Sequence, residues 1–301
     1  MDEFFKKLPF IDKVLKGIGQ IMLQENRWTG LLFLIGIFMG SWQCGVAVLL
    51  STAAGTFTAM KLSYAKSEIN AGLYGFSAAL VGVALAFLFQ TTFLIWILIV
   101  LGGALAAVIQ HFFIQKKIPV FTFPFIIITW VLVFTLHHFT HIPPSAMLSS
   151  EVIPTEYDDF LACTNGFGEV IFQGGILSGM IFFLAVFISS PIAALYGLAA
   201  SILGAGLSQL NGEPIKEIHM GLFGFNAVLS AIVFSGVKKT DGLWVLIAVL
   251  LTIAIDDLLI DNHCLDRVGG VFTFPFVAGT WITLLIQKVF LKAKKLRVRE
   301  F

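Results

Sequence analysis

The sequence predicts an all-α membrane protein with ten transmembrane helices and two shorter half-helices, arranged as two homologous halves of inverted topology. Three observations carry this expectation: a composition suited to lipid, an internal repeat in three ordered blocks, and the distribution of lysine and arginine.

Of 301 residues, 58% are hydrophobic and only 12% are charged, with a mean hydropathy of +0.93. Soluble domains carry about 25% charged residues, so this chain is matched to a solvent that penalises charge. A hydrocarbon core about 30 Å thick takes roughly 20 apolar residues per helix, and stretches such as 71–89, 93–113 and 119–137 supply them. An outer-membrane barrel would instead read as alternation in segments of about 10 residues. A net charge of +1, with no basic patch interleaved with aromatics, gives no reason to expect a nucleic-acid partner. Cys44, Cys163 and Cys264 are widely separated and fit packing better than a disulfide framework or a metal site. The charged, amphipathic first residues do not read as a cleavable signal peptide.

The repeat sets the organisation. GIGQIMLQENRWTG (17–30) matches GFGEVIFQGGILSG (166–179), placing Gln20 opposite Glu169, Gln24 opposite Gln173 and Gly30 opposite Gly179 at an offset of 149. EINAGLYGFSAAL (68–80) matches EIHMGLFGFNAVL (217–229) at the same offset, and VFTFPF recurs at 120–125 and 271–276, offset by 151. The expected repeats are 1–150 and 151–301.

Each half begins with a segment too short to span, 13–26 and 162–174. Five apolar segments follow: 28–41, 43–60, 71–89, 93–114 and 119–137, then 176–189, 191–208, 220–236, 241–258 and 270–288. Five spans is an odd number, so the second half enters from the opposite side. With both termini cytoplasmic, all but three of the 19 basic residues lie inside, leaving Arg27, Lys216 and Arg267 outside. The loop 138–160 holds Glu151, Glu156, Asp158 and Asp159 without lysine or arginine. This is the positive-inside pattern. In inverted repeats the functional site lies near the midplane, where partial helices of both halves meet, and the two short segments are the candidates for those helices.

Glu169 is an ionisable residue expected at membrane depth, where it faces either a cavity or a helix partner. Gln20 opposite it has a similar shape and a carbonyl-type oxygen but cannot ionise, which favours hydrogen-bond acceptance over proton carriage. Thr122 and Thr273 precede Pro124 and Pro275 by two residues; a proline in a spanning helix breaks the ladder. Each threonine hydroxyl either serves a ligand or bonds back to its own helix. Phe76 with Leu80, and Phe225 with Leu229, are i, i+4 pairs that by themselves describe a packed face. His137, His138 and His141 fit a wetted helix end better than a metal site, and Asp256, Asp257, Asp261 and Asp266 read as a solvated outer loop. A phosphate-binding glycine-lysine loop is not evident, so direct coupling to ATP is not expected.

In combination, the paired glycine blocks, GLYGF with GLFGF, and the doubled VFTFPF resemble the urea transporter family over roughly 13–137 and 160–290. The resemblance implies ten spans plus two re-entrant helices, a homotrimer in the cell inner membrane, and a passive pore for urea within each protomer. It implies no cofactor and no enzymatic activity. It also implies a filter with Phe76 and Phe225 as apolar walls and Gln20 and Glu169 on an oxygen ladder. Thr122 and Thr273 flank the centre, Leu80 and Leu229 narrow it, and Val170 borders the slot. Leu23 stands where an aromatic wall residue is expected, as Phe172 provides in the second half. The partners implied are urea and the bilayer. Short-chain amides, ammonia and proton-coupled uptake through Glu169 are the competing readings.

Overall fold

The computed structural model describes residues 7–148 and 162–299, the last helix by backbone alone beyond 292. The boundary between the expected repeats, Lys6 and the acidic stretch with Glu151, Glu156, Asp158 and Asp159 lie outside the described residues.

Among the described residues, fourteen α-helices form two successive sets of seven. The first set is α1 (Pro9–Gly19), α2 (Arg27–Gly40), α3 (Trp42–Lys61), α4 (Lys66–Asn70), α5 (Phe76–Leu88), α6 (Phe93–Gln115) and α7 (Phe123–Phe139). The second is α8 (Asn165–Glu169), α9 (Ile176–Ser189), α10 (Pro191–Asn211), α11 (Ile215–Met220), α12 (Phe225–Phe234), α13 (Lys239–Asp261) and α14 (Phe274–Arg299). By length and composition α3, α6, α10, α13 and residues Phe274–Lys292 of α14 are able to cross a membrane; α2, α5, α7, α9 and α12 are apolar but only 10–17 residues long. The short helices α4 and α11 are additions to the sequence expectation.

Local chemistry explains the breaks. Ser41 and Ser190, 149 residues apart, cap α3 and α10 by accepting from the N–H groups of Cys44 and Ala193. Asn26 caps α2 through the N–H groups of Trp28 and Thr29. The prolines of VFTFPF correct one expectation. Pro124 and Pro275 occupy the first turns of α7 and α14 and do not break a ladder, because the helices start only at Phe123 and Phe274. Proline has no N–H to lose in a first turn.

Glycine sets how closely the short helices approach. A Cβ on Gly30 would stand 1.8 Å from the Leu15 carbonyl oxygen, and one on Gly179 would stand 2.7 Å from that of Thr164. Only hydrogen at these two places lets α2 lie against α1, and α9 against the turn that precedes α8.

Contacts between the halves come in exchanged pairs. Thr29 Oγ1 donates to the Ala185 carbonyl at 2.7 Å, and Ser178 Oγ donates to the Gly36 carbonyl at 3.4 Å. Donors and acceptors exchange halves at the offset of 149. Between them Phe33 meets Phe182 edge-on at 5.2 Å. Trp130 Nε1 donates to the Gly270 carbonyl at 2.9 Å, and Trp281 Nε1 to that of Pro119 at 2.6 Å, an exchange at offset 151. Buried side chains of both halves form one continuous core that includes Ile18, Phe33, Leu80, Phe125, Phe182, Leu229 and Phe276.

Candidate functional site

Two chain reversals place the acceptor residues. After α1, a 3-10 turn carries Gln20–Met22 and Leu23 turns the chain at φ 58°; after α8, Phe172 does so at φ 59°. A non-glycine residue in the left-handed region costs on the order of 1–3 kcal/mol and persists where its surroundings over-determine it. The same two bonds hold each turn. Leu23 N–H donates to the Gln20 carbonyl and Gln24 N–H to Gly19, while Phe172 N–H donates to Glu169 and Gln173 N–H to Gly168. A second matched pair of left-handed residues, Phe121 at φ 47° and Phe272 at φ 46°, immediately precedes Thr122 and Thr273.

These turns enclose two cavities of about 250 Å³ each. Gln20, Leu23, Phe76, Phe121 and Thr122 line the first, together with Gln110 and, from the other half, Phe276. Glu169, Val170, Phe172, Phe225, Phe272 and Thr273 line the second, with Phe125 contributed from the first half. Phe121 meets Phe276 at 5.3 Å and Phe272 meets Phe125 at 5.6 Å, both edge-on, so each cavity is walled by one aromatic from each repeat of VFTFPF. Thr122 Oγ1 and Thr273 Oγ1 lie 2.6 Å apart and are buried, so the two cavities meet back to back at one shared hydroxyl bond. The bond runs between the two halves and not back to either threonine's own helix.

The acceptors differ in their commitments. Gln20 Nε2 donates to the Ala71 carbonyl at 3.0 Å, which fixes the amide and keeps its oxygen available. Glu169 is half-buried. Both cavities combine an apolar wall with strong acceptors, Gln20 and Gln110 in the first and Glu169 and Glu217 in the second, a chemistry suited to a flat solute that donates N–H. Leu80 and Leu229 line neither cavity; both are wholly buried in the core between the halves. His137 lies edge-on to Phe89 at 5.4 Å while His138 stacks on Phe134 at 4.1 Å, so the two neighbours serve separate packing contacts.

One sequence reading is overturned. Asp256, Asp257 and Asp261 all lie within α13 and not in an outer loop; Asp256 is 2% exposed, Asp257 half-buried, and Asp261 and Asp266 exposed. Asn226 donates through Nδ2 to Asp256 Oδ2 at 3.0 Å and to the Phe272 carbonyl at 3.1 Å, and its Oδ1 accepts from the N–H of Phe276 at 3.3 Å. The amide thus pins the loop that carries Thr273. In the first half Ser77 and Gln110 hold the matching positions, with Ser77 Oγ 3.4 Å from Gln110 Oε1. The available signal was a polar residue at the matched place of two otherwise apolar helices, Ser77 and Asn226 at the offset of 149.

Apolar helices of spanning length around two aromatic-walled cavities define a multi-pass membrane protein. A family profile described as "Urea transporter" matches residues 11–288. The chain is 30% identical to urea transporter 1 of Rattus norvegicus over 246 residues, covering 76% of this chain and 64% of the rat protein. It is 29% identical to urea transporter 1 of Ovis aries over 305 residues, covering 93% of this chain and 77% of that protein. It is also 30% identical to urea transporter 1 of Mus musculus over 250 residues. The chain therefore spans just under two-thirds of the rat and mouse proteins. The chain belongs to the urea transporter family.

Proposed function

We propose that this chain conducts urea passively across the cell inner membrane, through a path that joins the two cavities at Thr122 and Thr273. The observation that carries the reading is the match of the cavities at paired positions, Gln20 with Glu169, Phe76 with Phe225 and Phe121 with Phe272, each offering an amide or carboxylate acceptor beside phenylalanine walls and ending on the same hydroxyl pair. Urea is flat, neutral and rich in N–H donors. A narrow greasy slot excludes ions because their lost hydration is not replaced, and acceptors along one edge replace the bonds that urea leaves in water. Binding stays weak, as conduction requires.

In this reading α2, α3, α5, α6 and α7, with their counterparts α9, α10, α12, α13 and α14, are the ten spans, while α1 and α8 are re-entrant. The two sets are inverted repeats and both termini are cytoplasmic. At 13 residues α5 is only about 20 Å long, so α4 and the Gly72–Gly75 turn complete its crossing; α11 and the turn at Gly221–Gly224 do the same for α12. Leu80 and Leu229 narrow the middle from behind the cavity walls. The functional assembly is a homotrimer with one path per protomer.

Reconstituted liposomes test the proposal. Urea flux should be the same with and without a pH gradient, and Glu169→Gln, which copies Gln20, should keep most of it while Glu169→Leu loses it. Uphill accumulation driven by protons, abolished in Glu169→Gln, would replace passive conduction with coupled uptake. Competition by unlabelled acetamide or ammonia ranks the related solutes.

A further inference from the structure

A second pair of cavities lies on α1 and α3, and none of its lining residues belongs to the site above. One, of about 370 Å³, is bounded by α1, the end of α3 and α4. Its polar lining is Lys13, Ser63, Tyr64, Lys66 and Asn70, and no acidic residue lines it. Among the described residues none of these five side chains is ion-paired or donates a hydrogen bond. The neighbouring acids are occupied elsewhere. Asp12 pairs with Arg27 at 2.9 Å and with Lys16 at 3.6 Å, and Glu68 accepts from the Tyr74 hydroxyl. Tyr64 is held in place by its ring, stacked on His111 at 3.5 Å, which leaves its hydroxyl free of that contact. Two ammonium groups and three neutral donors without a counter-charge form a receptor for a compact anion.

The other cavity is a groove of about 610 Å³ along the same two helices and α2, lined by Phe10, Val14, Leu34, Leu49 and Ala53 among other apolar side chains, with no polar side chain. Along α3 the groove ends at Ala53 and the cationic cavity begins at Met60, seven residues or about 10 Å away. That step matches the distance from the phosphate level of a bilayer to its upper acyl chains, since the headgroup layers add only about 5–8 Å on each side of the hydrocarbon. Lys61 at the end of α3 lies on the face where lysine and arginine collect.

We infer that α1, α3 and α4 form a binding site for one anionic glycerophospholipid, its phosphate between Lys13 and Lys66 and one acyl chain in the groove. A free phosphate would use the donors and leave the groove without an occupant; the alignment of both cavities on the same helices favours the lipid.

The test is retention of lipid by the purified full chain in detergent, read by native mass spectrometry with phosphatidylglycerol and phosphatidylcholine as probes. A lysine near an anionic headgroup contributes roughly a fivefold preference, so phosphatidylglycerol should be retained about 25-fold over phosphatidylcholine. Lys13→Gln with Lys66→Gln should erase the preference, and Lys13→Arg with Lys66→Arg should keep it. Leu34→Gln should weaken lipid retention and leave binding of inorganic phosphate unchanged. Three outcomes would overturn the site: an undiminished preference in the double glutamine variant, inorganic phosphate bound with no preference between the two lipids, or a shift of oligomeric mass in Leu34→Gln with lipid retention intact, which would assign the groove to a second copy of the chain.

Discussion

The hydroxyls of Thr122 and Thr273, 151 residues apart in the chain, share one hydrogen bond at 2.6 Å, and each lines a different cavity. The bond joins two chambers whose walls are largely aromatic and aliphatic. In the proposed path, a solute crossing between them exchanges its own N–H bonds for this one.

Replacing one partner leaves the other hydroxyl buried and unsatisfied, at about 1–3 kcal/mol. Thr122→Val and Thr273→Val should each lower thermal stability, and the double variant should recover much of the loss because no orphan remains. Urea flux should fall about tenfold in the double variant, equivalent to about 1.4 kcal/mol of barrier. Thermal unfolding in detergent and stopped-flow flux on proteoliposomes read the two effects separately. Additive losses of stability would show that the hydroxyls do not act as a pair.

Leu23 and Phe172 adopt nearly the same left-handed backbone, so the turn at position 23 already accepts the geometry of a phenylalanine. Leu23→Phe should therefore fold normally and narrow the first cavity, reducing flux of N-methylurea more than that of urea. Relative flux of the two solutes is the measurement; an unchanged ratio would mean that the Leu23 side chain does not border the path.

Asn226 ties Asp256 to the Phe272 carbonyl and the Phe276 N–H, bracketing Thr273 on both sides. Asp256→Ala removes the partner that orients the amide and should destabilise the protein by about 1–3 kcal/mol, while Asp256→Asn keeps a side-chain oxygen and should cost less. Thermal unfolding orders the two. If the amide positions Thr273, Asn226→Ser, which installs the residue of the first half, should slow urea flux beyond its effect on stability.

At Gly30 a methyl group would overlap the Leu15 carbonyl oxygen, whereas at Gly206 it meets nothing within 4 Å. Gly30→Ala should cost at least the 1–3 kcal/mol typical of overpacking and displace the turn that carries Gln20. Gly206→Ala, inside α10, should be neutral or slightly stabilising because alanine is the better helix former. Comparing their unfolding midpoints and urea fluxes separates a packing requirement from a general intolerance of added bulk.

The sequence by itself determined the long apolar helices, their order and the matched positions, but not the short α4 and α11. Apolar runs, serine caps and glycine-marked turns are local features, and an offset of 149 or 151 is visible without coordinates. It also singled out Gln20, Glu169, Phe76, Phe225, Thr122 and Thr273, all of which line the two cavities. What only the tertiary structure decided is who faces whom. Helix rotation buried Leu80 and Leu229 behind the walls and turned Asp256 inward to Asn226. It also closed the Thr122–Thr273 bond between segments 151 residues apart. Local sequence fixes which residues become helical, because the backbone bonds within a helix span only four residues. Which face of a helix meets a distant partner is settled by the packing of all of them together.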